Sequence, residues 1–185
     1  MSMKIIGITG TLAAGKGTVV RYLVEKKGYV HYSVRAFLIE EIKRRKMSVD
    51  RDSMHEVAND LREKYGAAYI VEQLYVQAEK AWNDAVIESI HTAGEAEALR
   101  NHQHFLLLAV DADQKLRYER LVQRKSETDD VSFEKFQEQE ALEISNTDPS
   151  KQNLASCIAM ADFVVYNNGS LEELHQQLGE RVREC

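Results

Sequence analysis

The chain has 185 residues, 44% of them hydrophobic and 29% charged, which suits one domain with its own core and leaves little room for two. Lys and Arg number 24 against 30 Asp and Glu, a net charge of −6, the wrong sign for a general polyanion binder, so nucleic acid is set aside as a partner. The longest apolar run, Phe105 to Val110, falls far short of the roughly 20 residues that span a bilayer, which sets the membrane aside as well. No cleavage-type segment follows Met1. Cys157 and Cys185 form neither a disulfide framework nor a metal knuckle, so a reduced, cytoplasmic setting is expected.

In chain order, Lys4 to Thr9 is a short β-branched run that ends at Gly10, and after Gly15 the spacing turns helical, with Val19, Val20, Leu23 and Val24 on one face. Gly28 ends this helix and Tyr29 to Tyr32 suits a second strand. Helical patterns dominate from about Ala36 to Ala81, with breaks near Met47 to Asp50 and at Gly66. Ala85 to Ile87 is a third strand, Phe105 to Val110 a fourth buried on both faces, and Phe163 to Tyr166 a fifth. Ser170 and Glu173 form a capping box directly after the Asn167-Asn168-Gly169 turn and start the last helix. Pro149 is the only proline, which favours long helices. Strands alternating with helices predict an α/β fold: a three-layer α/β/α domain on a five-stranded parallel sheet, spanning residues 1–185.

The strongest chemical signal is Gly10-Thr11-Leu12-Ala13-Ala14-Gly15-Lys16-Gly17-Thr18. It fits G-x4-G-K with the hydroxyl residue one place later than the strict pattern. Glycines let successive backbone N–H groups point inward, the helix start adds its positive dipole end, and Lys16 reaches terminal phosphate oxygens. The strand before the loop and the helix after it supply the context that a phosphate loop needs. Thr18 is expected close to Mg²⁺.

The G-K-G-T ending resembles the adenylate kinase type of nucleoside monophosphate kinase. Together with the stretch from Asn167 to Leu174 and the arginine-bearing helix described next, it makes the chain similar to dephospho-coenzyme A kinases and deoxynucleoside monophosphate kinases over roughly residues 4 to 178. The resemblance implies ATP and Mg²⁺ as cofactors, a small-molecule nucleotide-type acceptor, an acceptor-binding helical region at about 33–82, a lid at about 125–150, and Asn168 and Gly169 beside the bound ATP. The oligomeric state, monomer or homodimer, is left open.

After the fourth strand, Arg117, Arg120 and Arg124 are spaced three and four apart and so stack on one helical face. In an acidic chain such a stripe is best explained by an anion, and phosphoryl transfer needs cations around the moving group, an arginine of this kind being worth roughly 10³ to 10⁵ in rate. The resemblance assigns Arg120 and Arg124 to the lid edge. The other reading is a solvated face with an Asp113 to Arg117 ion pair. From Lys125 to Pro149 the chain is charged, with Phe133, Phe136, Leu142 and Ile144 as its apolar points, so a lightly packed lid or an amphipathic surface helix is expected.

Glu88, just past the third strand, and Asp111, just past the fourth, compete for the Mg²⁺ shell, since open α/β sheets bind ligands at the carboxyl ends of their strands. Asp111 or Asp113 is also placed to cap the following helix. In the resembling kinases the third strand ends in an acid, then glycine, with arginine soon after; here the stretch is Glu88-Ser89-Ile90-His91. His91 replaces a permanent cation with a group mostly neutral at pH 7. Arg35 and Arg62 are the remaining candidates for an acceptor phosphate, whereas Lys43 to Lys46 reads as a solvated helix end. His102 and His104 alternate at the start of the fourth strand and are expected to share one face, and His55 stands beside Glu56, but neither arrangement offers a convincing third metal ligand, so these read as structural or surface histidines. Tyr65, Tyr69, Tyr75 and Trp82 are core residues or base-stacking groups.

The expectation is an ATP-dependent kinase in which Lys16, Arg120 and Arg124 steady the γ-phosphoryl, Thr18 and Glu88 hold Mg²⁺ directly or through water, and Arg35, Arg62, Glu88 and His91 receive the acceptor. A nucleoside or deoxynucleoside monophosphate leads. The alternatives are the ribose hydroxyl of dephospho-coenzyme A and a nucleotide-binding regulatory module with little transfer activity.

Overall fold

The computed structural model describes residues 3–124, 132–144 and 153–184. Its elements run β1 (Ile5–Gly10), α1 (Lys16–Lys27), β2 (Val30–Tyr32), α2 (Val34–Arg44), α3 (Arg51–Tyr65), α4 (Tyr69–Ala81), β3 (Ala85–Ile87), α5 (Ala93–Arg100), β4 (Phe105–Asp111), α6 (Gln114–Gln123), α7 (Phe133–Ile144), α8 (Leu154–Ala159), β5 (Phe163–Tyr166) and α9 (Leu171–Glu184). The five strands form one parallel sheet in the order β2-β3-β1-β4-β5. β1 lies at its centre and is buried along its whole length.

Side chains alternate across the sheet with a period of two, and this splits the core. Ile6, Ile8, Val86, Leu108 and Val110 face α1 and α9, packing on Val19, Leu23, Leu174 and Leu178. Ile5, Ala85, Ile87 and Leu107 face α4 and α5, packing on Leu74, Tyr75, Ala96 and Leu99. A separate cluster of Leu38, Ile42, Val57, Leu61 and Ile70 binds α2 and α3 into the helical region beside β2. Arg45 bridges the same helices by pairing with Glu41 on α2 and Asp60 on α3, both at 2.8 Å. The basic run is therefore solvated at Arg44 but structural at Arg45, which is 27% exposed against 73%.

Three local expectations change. His102 and His104 precede β4 rather than sharing one of its faces: His102 stacks on Tyr75 with ring centroids 4.0 Å apart, and His104 meets Trp82 edge-on. Of the aromatic group only Tyr75 is a core residue, while Tyr65 and Tyr69 stack on each other and Trp82 stands exposed. α8 adds to the expected helices, whereas α5 is the helical stretch expected before β4; it opens on a capping box, with the Glu95 carboxylate accepting from the Thr92 amide and the Thr92 hydroxyl accepting from the Glu95 amide. Among the described residues no helix is long and apolar enough to cross a membrane.

Candidate functional site

β1 delivers the chain to Gly10, whose φ of 136° and contact with the Val110 backbone leave no room for a Cβ. The loop then climbs to Gly15, which caps α1 in the left-handed region with no side-chain hydrogen bond, so the amides of the first turn are not consumed by a capping side chain. Lys16 Nζ donates to the carbonyls of Gly10 at 2.7 Å and Thr11 at 2.9 Å, folding the ammonium over the loop. The neighbouring strands brace it. Thr11 donates its hydroxyl to Asp111 at 2.8 Å, Asn167 Nδ2 donates to the Ala14 carbonyl at 2.8 Å, and the Asn167 amide donates to the Asp111 carbonyl at 2.8 Å. A Cβ on Gly15 would run into the Asn167 amide, whereas one on Gly17 would meet nothing within 4 Å.

On the β5 side of the loop, a cavity of about 430 Å³ is lined by Ala13, Gly15, Thr18, Arg120, Arg124 and Gly169 among others. The structure thus brings both arginines, Thr18 and Gly169 together around the start of α1. Arg120 Nη2 donates to the Asn167 carbonyl at 2.8 Å, while its Nη1 is shut off from solvent with no hydrogen-bond partner among the described residues. Burial draws the Arg120 pKa below the ordinary arginine value. A buried guanidinium nitrogen without a partner calls for an acceptor, and a phosphate oxygen or nucleotide group supplies one. Asn168 is spent differently: it accepts from the Asp113 amide at 2.7 Å and donates to the Asp113 carboxylate at 3.2 Å, tying the β5–α9 turn to the start of α6.

Arg117 leaves the expected stripe. It is 4% exposed, donates Nε to the Ala112 carbonyl at 2.7 Å and Nη1 to the Leu12 carbonyl at 3.4 Å, and forms an ion pair with Glu140 of α7. Its partner is therefore Glu140, not Asp113, and Asp111 lies 3.9 Å from its Nε. Glu140 also accepts from Gln114 Nε2 at 2.5 Å. Beside this pair Phe136 is buried against Ala13 and Leu121, with Tyr118 and Phe133 around it. The described part of the lid candidate is thus bolted to α6 and to the crest of the phosphate loop rather than lightly packed; 125–131 and 145–150 lie outside the described residues. Asp111 caps nothing in α6, since its carboxylate is turned to Thr11, the Ala112 amide and Arg117.

The acceptor candidates lie on the other side of the loop. Arg35 and Arg62 line one cavity of about 640 Å³ together with Leu38, Met54, His55 and Ala58. Two arginines share this lining with apolar side chains and with Asp50, a mix that suits a ligand with an anionic group and an apolar body. His91 stands beyond β3 with its Nδ1 excluded from solvent and without a partner among the described residues. Burial, reinforced by the charges of Lys16 and Arg62, pushes its pKa down to about 4, so it is a neutral imidazole at pH 7. Glu95, which accepts from the His91 amide at 3.1 Å, is pushed upward by burial.

Glu88 pairs with His31 of β2, Oε1 to Nε2 at 3.2 Å. Thr18 and Glu88 have different surroundings, one on the arginine-lined cavity and the other beside β2. Among the described residues no three His, Cys, Asp or Glu side chains could hold a metal by themselves. A single carboxylate at the carboxyl end of β3, 28% exposed in its side chain, fits Mg²⁺ all the same, because that ion keeps several waters and binds through one or two carboxylates plus substrate phosphates.

Four residues of the site escape sequence reasoning: His31, Glu95, Glu140 and Asn167. The T-x-x-E spacing of Thr92 and Glu95 was a legible capping signal. Asn167 opened a recognised turn, but nothing in a turn motif says that its amide reaches Ala14 across the sheet. His31 and Glu140 act through contacts distant in sequence and carry no local signature.

A family model described as an AAA domain, AAA_18, matches residues 6–144. The chain is 29% identical to a UPF0200 protein of Pyrobaculum aerophilum over 187 residues, covering 98% of each. In structure it is similar to a shikimate kinase from Bacteroides thetaiotaomicron, with TM-score 0.61 and 14% identity over 98% of this chain and 99% of that one. It is also similar to a dephospho-CoA kinase from Campylobacter jejuni, with TM-score 0.59 and 16% identity over 97% and 96%. At such identities the likeness lies in the fold, a five-stranded parallel sheet between helices with a phosphate loop after its central strand. The chain belongs to the AAA_18 family, with the kinase-like fold of the P-loop nucleotide-binding proteins.

Proposed function

We propose that the protein transfers the γ-phosphoryl of ATP, with Mg²⁺, to a nucleoside or deoxynucleoside monophosphate. The observation that carries this reading is two arginine-lined cavities: Arg120 and Arg124 share one with Gly15 and Thr18 at the start of α1, and Arg35 and Arg62 line the other. Separate sets of cations for the nucleotide and for the acceptor are what transfer between two phosphates calls for.

Catalysis in this reading is positioning and charge neutralisation. Lys16 leaves its two loop carbonyls for phosphate oxygens, and Arg120 offers its unpaired Nη1, with Arg124 beside it. Arg35 and Arg62 hold the acceptor anion. Mg²⁺ would supply neutralisation of the phosphate charge when bound, and Glu88, with Thr18 on the nucleotide side, would hold it directly or through water. The packing of Phe136 of α7 against Ala13 shields that residue of the loop from bulk water.

Glu88 favours a second reading. A carboxylate at the end of β3 can take the proton of a hydroxyl acceptor, as the ribose hydroxyl of dephospho-coenzyme A requires, whereas a monophosphate is already a nucleophilic anion. ADP release from Mg-ATP against a panel of monophosphates and dephospho-coenzyme A separates the two. Tight ATP binding with no stimulation by any acceptor refutes both and supports a nucleotide-binding regulatory module.

A further inference from the structure

Glu88 follows the last residue of β3, and the chain turns directly after it: Ser89 has φ 69° and the Ile90 amide donates to the Ile8 carbonyl at 3.2 Å. Gly7 is the register partner of Ile87, which sets Glu88 level with Ile8, just before the phosphate loop opens at Gly10. Val86 packs in the cluster beneath α1. By the two-residue alternation Glu88 lies on that same side of the sheet, and so does His31, the register partner of Val86. The two side chains meet there, 33% and 28% exposed for His31 and Glu88, outside every core cluster. A glutamate side chain carries several rotors, so its carboxylate needs fixing to serve one spot.

We infer that His31 is a positioning residue for Glu88: by engaging Oε1 it fixes the carboxylate and leaves Oε2 for the water shell of Mg²⁺ on the ATP phosphates. An imidazole that orients a carboxylate near a metal acts as the supporting contacts of metal sites do, where removal costs roughly 10- to 100-fold in metal affinity or activity. This inference rests on the nucleotide-binding half of the function proposed above and on neither choice of acceptor.

The test is ATP affinity by calorimetry, with Mg²⁺ and with EDTA, in the wild type and in His31→Phe, His31→Gln, Glu88→Gln and the His31→Phe/Glu88→Gln double variant. The gain in affinity that Mg²⁺ provides should fall roughly tenfold in His31→Phe, stay near wild type in His31→Gln, whose amide N–H replaces the Nε2 donor, and be no lower in the double variant than in Glu88→Gln. Affinity in EDTA and the melting temperature should not change, which separates positioning from a merely structural role. A full Mg²⁺ gain in His31→Phe, or losses that multiply in the double variant, would overturn the inference. So would ATP binding by the wild type with no Mg²⁺ gain, which leaves the nucleotide-binding reading standing. No ATP binding by the wild type under either condition removes that reading and this one with it.

Discussion

Replacing Glu140 by Gln should undock α7 from the phosphate loop. Arg117 and Glu140 are each 5% exposed in their side chains, and loss of the carboxylate charge leaves a guanidinium buried with Asp111 at 3.9 Å as its nearest remaining counter-charge. Breaking a buried pair from one side typically costs 3–5 kcal/mol, and the reserve contact with Asp111 sets the expectation at the lower end, about 3 kcal/mol. The loss should fall on α7, whose other holds are Phe136 against Ala13 and Leu121, the hydrogen bond from Gln137 to Gln114 and its packing on α8. Hydrogen exchange of the α7 amides reads it directly: a loss of about 3 kcal/mol is roughly a 150-fold gain in exchange rate, with β1 and β4 unchanged. Replacing both partners together by Met and Leu should restore most of the protection, since an apolar pair of similar volume avoids the stranded charge. A loss below about 1 kcal/mol in Glu140→Gln would refute the reasoning, because it would mean that the pair does not anchor the helix.

Three further outcomes follow from the same geometry. Ser89→Gly should stabilise the protein by about 0.5–1 kcal/mol in urea titration, as relief of the left-handed φ of 69° outweighs the added freedom of the unfolded chain; destabilisation would contradict the strain. Gly15→Ala should abolish ATP binding in calorimetry, since its Cβ would displace the Asn167 amide at a φ of 103°, and retained affinity would show that the loop can do without that brace. Because the folded pKa of His91 is depressed to about 4, the unfolded state binds more protons between pH 4 and about 6.5, and stability falls as pH drops through that window. The drop attributable to His91 between pH 7 and pH 4 is about 3 kcal/mol. His91→Gln should remove it from the denaturation curves, and the comparison also cancels the opposite contribution of Glu95, whose raised pKa favours the folded state as pH falls. Identical pH profiles would place His91 in water.

The sheet was readable because each strand is a compact β-branched or apolar run, and because Gly10, Gly15 and Gly28 punctuate the chain where the backbone takes positive φ. The phosphate loop was readable because its chemistry is local, with turn, lysine and helix start contiguous. Arg117 shows where this legibility ends. Its spacing with Arg120 and Arg124 was correct as helix geometry, yet a periodic stripe cannot say which member turns inward, and a glutamate 23 residues away decided it. Glu88 and His31 make the same point, since 57 residues separate two side chains that only the strand register brings side by side.

The central claim is phosphoryl transfer, and its most direct test is ADP release from Mg-ATP in a coupled assay with nucleoside monophosphates, deoxynucleoside monophosphates and dephospho-coenzyme A, run on the wild type and Lys16→Ala. The account predicts clear stimulation by one acceptor, lost in Lys16→Ala while the melting temperature is kept. Full turnover in Lys16→Ala, or no stimulation by any acceptor when ATP binding is intact, would contradict it.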